Sequence, residues 1–217
     1  YEISPRDWSS DVCSSDLPGR PSDRIAGEHT TSLSLARALA VGCLTRLDPN
    51  KSSVDIWDPA AGSGLAGSLL LEALRSAGVH TRYRGQDINE AAVAESRRRF
   101  DVFPDVEVAL GDTLAYDAFE RFAADLVILD PPWGMDWGQS AAGVEGRQRH
   151  GAFQYGLPQR SDSTWLFISL ALEKLRPAEQ GGGRLAALVN PGALSSGGAT
   201  GAVRRRIVEA DRKSTRL

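Results

Sequence analysis

Features that mark secreted, membrane-bound or strongly basic proteins are missing from this chain of 217 residues. It has two cysteines, Cys13 and Cys43, too few for a disulfide framework and typical of a protein of the reducing cytoplasm. No apolar run approaches the roughly 18 residues that a membrane span needs, and no basic segment with a following apolar core opens the chain. We therefore expect a cytoplasmic protein without a membrane anchor.

The charge of the chain is close to balance, with 25 Lys and Arg against 28 Asp and Glu and a formal net charge of -3 at pH 7. A strongly basic domain, the simplest electrostatic sign of a nucleic-acid-binding protein, is therefore absent. What is present is a hydrophobic content of 41%, together with a length that fits a prior of roughly 100 to 200 residues per domain. Both values predict one globular domain.

The two ends of the chain carry sequence that we interpret as translated sequencing adapter. DNA that encodes residues 211–217 can have a reverse complement that encodes Ser10 to Leu17 in another frame, a relation that unrelated peptides rarely allow. Segments of this kind are left out of fold reasoning. We predict adapter-derived tails at 1–17 and 211–217, and between them a catalytic domain at 18–210 that is a fragment of a longer one.

Apolar residues alternate between short strand-like runs and helical periodicities. Residues 134–163 show little periodicity and predict a long loop, and a structureless stretch of that length in a compact domain is usually functional. Strands that alternate with helices favour an α/β fold with a Rossmann-like, doubly wound, mostly parallel sheet. The predicted strands are 54–57, 83–87, 106–110, 124–129 and 183–189, and the predicted helices are 33–40, 69–77, 90–100, 165–175 and 202–210.

Acidic residues follow each of the first three predicted strands. Asp58-Pro-Ala-Ala-Gly-Ser-Gly64 comes after the first, Asp87 after the second and Asp112 after the third. Ligands of doubly wound sheets bind at the carboxyl ends of the strands, where glycines let the backbone approach them. Asp87 suits hydrogen bonds from ribose hydroxyls, and Asp112 suits an adenine amino group. A glycine loop of this kind also occurs as a plain tight turn.

The order of residues in this glycine loop differs from the dinucleotide-binding fingerprint. An acid, Asp58, precedes the glycines, and the loop has no phosphate to cradle. The pattern therefore fits a cofactor with a cationic centre and an amino group better than it fits a pyrophosphate. S-adenosylmethionine is such a cofactor.

Asp130-Pro-Pro-Trp133 directly follows the most apolar predicted strand. Two prolines cannot extend a sheet, so the chain leaves it as a stiff loop that presents the Asp130 carboxylate, the Pro131 carbonyl and the Trp133 ring. Two acceptors that bind both hydrogens of an exocyclic amine favour a pyramidal, nucleophilic nitrogen and stabilise the positive charge that develops on it. A stacked ring orients the base, which has to be flipped out of its duplex. The alternative is a plain turn after a core strand.

At these positions the chain resembles the N6-adenine DNA methyltransferases, most closely the modification subunit of type I restriction-modification systems. The resemblance covers about Gly27 to Ala210, and Asp130 stands where that family has Asn. The motifs that carry it are Gly27-Glu-His-Thr-Thr31, Asp58-Pro-Ala-Ala-Gly-Ser-Gly64, Gly85-Gln-Asp-Ile-Asn89, Gly111-Asp-Thr-Leu114, Asp130-Pro-Pro-Trp133 and the strand and loop from Gly183 to Gly192.

The resemblance implies a class I S-adenosylmethionine-dependent methyltransferase fold and methyl transfer to the N6 amine of adenine in DNA, within a restriction-modification or related defence system. It implies DNA, a specificity subunit and a restriction subunit as partners, and no metal. The catalytic residues that it implies are Asp130, Pro131, Pro132 and Trp133. The cofactor-binding residues that it implies are Gly27, Thr30, Asp58, Ala60, Gly62, Gly64, Asp87, Ile88, Asp112 and Thr113.

Other interpretations remain open at the level of sequence. Loops like Asp130-Pro-Pro-Trp133 also serve RNA-base and protein-glutamine methyltransferases, and a fragment can bind cofactor without turning over substrate. Arginines in the predicted loop and near the end of the chain are candidates for phosphate contacts, although charge runs are usually solvated faces. These arginines are Arg147, Arg149, Arg160, Arg204, Arg205 and Arg206.

Overall fold

Five parallel strands form the centre of the protein, which a computed structural model describes over residues 31–45 and 47–210. The strand order is β3-β2-β1-β4-β5, and every neighbouring pair is parallel. The predicted doubly wound parallel sheet is thereby confirmed. The strands are β1 (Ser53–Asp58), β2 (His80–Asp87), β3 (Val106–Leu110), β4 (Leu126–Leu129) and β5 (Arg184–Ala187).

Helices connect the strands and cover both faces of the sheet. Ser32 caps the first of them with its side chain, and Asn89 caps the third in the same way. The helices are α1 (Leu33–Leu44), α2 (Leu65–Ser76), α3 (Glu90–Phe100), α4 (Ala141–Arg149), α5 (Thr164–Lys174), α6 (Pro191–Ser195) and α7 (Gly198–Ala210), with a short 3-10 turn at Ala178–Gln180.

Two hydrophobic clusters lie on opposite faces of the sheet because successive side chains of a strand point in opposite directions. Ile56 of β1 packs in the cluster of α1, α2 and α3, whereas its neighbour Trp57 packs in the cluster of α4, α5 and α7. Leu126 and Val127 of β4 divide between the clusters in the same way. All four residues of β4 are buried, as its continuous apolar run predicts.

The prediction of a loop over residues 134–163 is wrong in part, because Ala141–Arg149 form α4. This helix contains Gly143 and Gly146 and only one large apolar residue, Val144, so its sequence shows no helical stripe. Val144 is completely buried, which indicates that tertiary packing rather than local propensity sustains the helix.

Smaller differences concern the ends of elements. β4 begins at Leu126 rather than at residue 124, since Ala124 forms only an isolated bridge with Leu175. The short helix α6 was not predicted, although Asn190 caps it and Pro191 opens it. The predicted tails at 1–17 and 211–217, and the predicted site residues Gly27 and Thr30, lie outside the described residues.

The segment 135–163 begins and ends at one place in the fold, and we call it the excursion. The Ser163 amide donates to the Met135 carbonyl at 3.0 Å, and the Trp137 amide donates to the Arg160 carbonyl at 2.9 Å. The Arg160 guanidinium also stacks over the Trp137 ring, 5.4 Å from its centroid. The excursion is therefore closed at its base, and its base adjoins the loop that follows β4.

The amino ends of β1 and β4 are joined by an ionic network. Asp55 and Asp125 are buried, and the Asp55 amide donates to a carboxylate oxygen of Asp125 at 2.9 Å. Arg82 forms two hydrogen bonds to Asp55, and Arg176 bridges the two carboxylates. Lys51 donates to Asp125 at 2.6 Å. This network lies at the edge of the sheet opposite the glycine loop.

Across the described parts of the chain, no helix has the length and apolar character that crossing a bilayer requires.

Candidate functional site

The carboxyl edge of the sheet brings the predicted motifs together. β1 and β4 are neighbours, and the chain turns in opposite directions from them, toward β2 and β3 on one side and toward β5 on the other. Doubly wound sheets bind ligands in the crevice at such a switch point. Asp58 ends β1, and Asp130 directly follows β4, so both side chains border this crevice.

The glycine loop between β1 and α2 has a backbone conformation that residues other than glycine rarely adopt. Gly64 is the N-cap of α2 with φ 78°, and Gly62 has φ 51°, both in the left-handed region. A Cβ atom at Gly64 would lie 2.7 Å from the ring of Phe100, so a side chain at that position also meets a neighbour. The loop therefore turns tightly and leaves the first amides of α2 facing the crevice.

Asp87, at the end of β2, holds this loop in place. One of its carboxylate oxygens accepts from the Gly62 amide at 2.7 Å, and the other accepts from the Asn89 amide at 2.9 Å. Each carboxylate oxygen has two lone pairs, so Asp87 retains acceptor capacity for a ligand hydroxyl. Ile88, the next residue, is 66% exposed and offers an apolar surface at the same edge.

Asp58 is buried below the glycine loop. Its carboxylate accepts a hydrogen bond from the Tyr83 hydroxyl at 2.8 Å and one from the Ala60 amide at 3.3 Å. Burial raises the pKa of Asp58 to about 7, and the negative charges of Asp87 and Asp130 also raise it. The two hydrogen bonds act in the opposite direction and lower it. A cation in the crevice would stabilise the ionised form.

Asp112 and Thr113 shape the loop that follows β3. The Asp112 carboxylate accepts from the Leu114 amide at 2.9 Å, and its side chain is half-buried. The Thr113 hydroxyl is buried and donates to the Pro59 carbonyl at 2.8 Å. Thr113 thus ties this loop to the glycine loop, a role that its position in the motif did not predict.

The Asp130-Pro-Pro-Trp133 segment leaves the sheet as its prolines require. Pro131 is buried, whereas Asp130 and Trp133 are half-buried at the mouth of the crevice. The Thr31 hydroxyl donates to a carboxylate oxygen of Asp130 at 2.5 Å, a contact between residues 99 positions apart. Gly134 then turns the chain with φ 64° into the excursion.

Three further residues support the site without having been predicted to do so. Tyr83 holds Asp58, and Thr31 holds Asp130. The buried Gln86 side chain donates to the Tyr116 carbonyl and accepts from the Ala118 amide, which fixes the chain beyond β3. These contacts join residues far apart in sequence, and no local pattern announces them.

Two of the arginines that were candidates for phosphate contacts are used inside the protein. Arg147 of α4 donates to the carbonyls of Thr113 and Leu114 at 2.7 and 3.0 Å, and Arg204 donates to the carbonyls of Ala193 and Ser196. The Arg147 contact attaches the excursion to the loop after β3. Arg160 pairs with Glu145, whereas Arg149, Arg205 and Arg206 are exposed.

Within the described ranges, no group of three or more His, Cys, Asp or Glu side chains is arranged to hold a metal ion.

The sheet order, the glycine loop after β1 and the acids after three successive strands define the fold of class I S-adenosylmethionine-dependent methyltransferases. The model of the N-6 DNA methylase family matches residues 24–215, and the chain belongs to that family. The resemblance drawn from the motifs is thereby confirmed at the level of the family. No match to this chain was found among curated proteins.

Solved structures share the fold at low sequence identity. A type I restriction-modification system methyltransferase subunit from Streptococcus thermophilus superposes with a TM-score of 0.68 at 23% identity over 86% of this chain. A protein from Listeria monocytogenes assigned as a class I S-adenosylmethionine-dependent methyltransferase superposes with a TM-score of 0.68, at 19% identity over 87% of this chain. A modification subunit from Vibrio vulnificus, assigned to a type I restriction enzyme, superposes with a TM-score of 0.64, at 18% identity over 87% of this chain. The chain spans 40%, 54% and 39% of these three proteins.

Proposed function

We propose that this chain is the catalytic part of an enzyme that transfers a methyl group from S-adenosylmethionine to the N6 amine of adenine in DNA. The observation that carries the proposal is the meeting of two motifs at one crevice. The glycine loop with Asp58 and Asp87 lies on one side of it, and the Asp130-Pro-Pro-Trp133 loop lies on the other. Membership in the N-6 DNA methylase family supports adenine as the target.

The residues at the edge of β1, β2 and β3 suit this cofactor chemically. S-adenosylmethionine supplies an electrophilic methyl group on a cationic sulfur, together with an ammonium group, a ribose and an adenine. Asp58 and Asp87 offer negative charge and acceptor oxygens, and Ile88 offers an exposed apolar face for a planar ring. Asp112 is the acceptor available to an adenine amino group. The negative charges of these acids also attract the cationic groups of S-adenosylmethionine, and this cofactor carries no phosphate that they would repel.

The residues of the loop after β4 suit an exocyclic amine. The Asp130 carboxylate and the Pro131 carbonyl accept the two amine hydrogens, which turns the nitrogen lone pair away from the base ring. With the cofactor bound, its methyl group would be the electrophile, and the Asp130 carboxylate and the Pro131 carbonyl would hold the attacking nitrogen and stabilise the positive charge that develops on it. Trp133 provides a ring on which a flipped base can stack.

The proposal includes partners that the chain itself does not contain. Modification subunits of type I restriction systems are among the solved structures that share the fold, so we propose a specificity subunit that reads the DNA sequence and a restriction subunit. The near-balanced charge of the chain is consistent with DNA being held partly by other regions. We place this complex in the cytoplasm, where its DNA substrate is found.

Replacing Asp130 by alanine tests the proposal. Asp130→Ala should abolish transfer of labelled methyl groups to unmethylated DNA and change the Kd of the cofactor by less than about threefold, because the proposal assigns Asp130 to the amine and not to the cofactor. Asp136→Ala is the matched control, since Asp136 is exposed six residues further on. Loss of cofactor binding in Asp130→Ala would show that the residue is misassigned.

The unmodified chain provides the second half of the test. Methyl transfer to DNA and not to RNA supports the proposal directly, and transfer to RNA alone would contradict it. Cofactor binding without transfer to any polymer would identify the chain as a binding fragment that needs the rest of its complex.

A further inference from the structure

Tyr83 lies directly beneath Asp58 and is completely buried. Its hydroxyl donates to a carboxylate oxygen of Asp58 at 2.8 Å, and Asp58 itself is only 4% exposed. A buried carboxylate that accepts a hydrogen bond from a buried phenol is held in one orientation, because either group would lose its partner by rotating.

The protein leaves space for this phenol. A Cβ atom at Gly67 of α2 would lie 2.8 Å from the Tyr83 ring and hydroxyl, and one at Gly85 of β2 would lie 2.9 Å from the ring. Phe100 of α3 closes the remaining side, with ring centroids 4.7 Å apart. Two glycines and an aromatic neighbour therefore form a close-fitting packing site for the Tyr83 side chain below the glycine loop.

We propose that Tyr83 is a positioning residue that favours the ionised form of Asp58 and aims it at the crevice, so that Asp58 can hold the cationic ammonium group of the cofactor. This inference rests on the proposed function. A phenol is well suited to this position, because it donates one hydrogen bond and adds no charge of its own.

The charges around Asp58 explain why such a donor is needed. Asp87 at the end of β2 and Asp130 after β4 face it with negative charge, and Cys43 of α1 lies nearby as a buried thiol. Burial and these two carboxylates raise the pKa of Asp58 to about 7, against the hydrogen bond from Tyr83. Removal of that hydrogen bond raises the pKa further, so that Asp58 is largely protonated at neutral pH.

Tyr83→Phe tests the inference, because it removes only the hydroxyl. If the pKa of Asp58 rises by about one pH unit, the Kd of the variant for S-adenosylmethionine should be about fivefold higher than that of the unmodified protein at pH 7 and about equal to it at pH 9. The same ratio should reach about ninefold at pH 6. Titration of the cofactor's own amino group cancels, since both proteins are compared at each pH.

Val93→Ala is the control for a purely structural effect. Val93 is buried in the same hydrophobic cluster as Tyr83 and carries no hydroxyl. This variant should be less stable, yet the ratio of its Kd for S-adenosylmethionine to that of the unmodified protein should be the same at every pH. A Tyr83→Phe ratio that also stays constant between pH 6 and pH 9 would overturn the inference.

A measurement without cofactor separates this inference from the proposed function. The carboxyl carbon of Asp58 can be titrated by NMR in the ligand-free protein, and its midpoint should rise in Tyr83→Phe and remain unchanged in Val93→Ala. If the unmodified protein binds no cofactor at any pH, the proposed function fails, and the NMR midpoint still decides whether Tyr83 controls the charge of Asp58. An unchanged midpoint overturns that control.

Discussion

Single residues of the glycine loop combine two constraints, one on the backbone and one on packing. Gly64 has a left-handed backbone, and a Cβ atom there would also approach Phe100. Gly78, at the end of α2, has nearly the same φ, 72°, with open space around it. The pair therefore separates backbone strain from contact with a neighbour.

We expect Gly64→Ala to lower the free energy of unfolding by about 2 to 4 kcal/mol and Gly78→Ala by only about 1 kcal/mol. The alanine methyl group at residue 64 must displace the Phe100 ring, whereas the one at residue 78 meets nothing. Urea unfolding of the two variants measures the difference. Equal losses in both would show that Phe100 yields without cost.

The ionic network at the amino ends of β1 and β4 makes the free energy of unfolding depend on pH in the acidic range. Burial alone would raise the pKa of Asp125, but hydrogen bonds from Lys51, the Asp55 amide and Arg176 outweigh it, so that pKa lies below its usual value of 3.8. The stabilisation is therefore complete above pH 3.8 and is lost as the pH falls through the lowered pKa.

Asp125→Asn should remove this dependence. We expect a loss of about 1 to 3 kcal/mol in the free energy of unfolding at pH 7, because Lys51 and Arg176 lose a charged partner. The loss should shrink below pH 3.8, where the unmodified protein is losing the same interaction. Asp101→Asn, a change at an exposed position, is the control and should have little effect at any pH. A loss that is constant with pH would contradict the assignment.

At the scale of elements, α4 links the loop after β3 to the segment that follows the Asp130 loop. A Cβ atom at Gly143 would lie 2.6 Å from that of Ala115, so the helix packs directly on the chain beyond Asp112. Arg147 adds hydrogen bonds to the carbonyls of Thr113 and Leu114, and its guanidinium stacks over Phe153. The excursion that follows the Asp130 loop thereby supports the loop after β3.

Arg147→Met should weaken cofactor binding about fivefold, or about 1 kcal/mol, because the loop that carries Asp112 loses two hydrogen bonds from a cation. Arg149→Met changes an exposed residue on the same helix and should leave the Kd unchanged. Calorimetric titration well below the unfolding temperature of each variant checks both values. A lower unfolding temperature with an unaltered Kd would limit Arg147 to a structural role.

The elements differ in how far local sequence determines them. β4 was predictable because its residues Leu126–Leu129 form a continuous apolar run, and α3 because its residues form a charged, amphipathic pattern. α4 was not, since its two glycines and single large apolar residue give no periodic signal. The acids of the candidate site were predictable because they end strands. Tyr83 and Thr31 were not, because their partners lie 25 and 99 positions away.

At the scale of the whole molecule, one sheet joins two hydrophobic clusters. β1 and β4 contribute side chains to both, with Ile56 and Trp57 as neighbours that pack on opposite faces. Loss of either cluster therefore removes the support of the same two strands. We expect the described part of the chain to unfold in one cooperative transition.

Leu74→Ala tests this coupling from one face. Leu74 is 2% exposed in the cluster of α1, α2 and α3, and its truncation should lower the free energy of unfolding by about 2 to 5 kcal/mol. Trp57, Trp137 and Trp165 lie in the other cluster. Tryptophan fluorescence and far-ultraviolet circular dichroism should therefore report the same lowered midpoint. Two separate midpoints would show that the faces unfold independently.

The closed base of the excursion makes its exposed parts replaceable. Because Met135 and Ser163 already meet, exposed stretches between them can be lengthened or grafted from a relative, provided that the buried Val144 and Phe153 and the Arg147 contacts are kept. Such grafts would alter the surface that borders the mouth of the crevice while the strands beneath it keep their spacing. The exposed part of the excursion is thus the natural place to redesign which polymer the proposed catalytic core accepts.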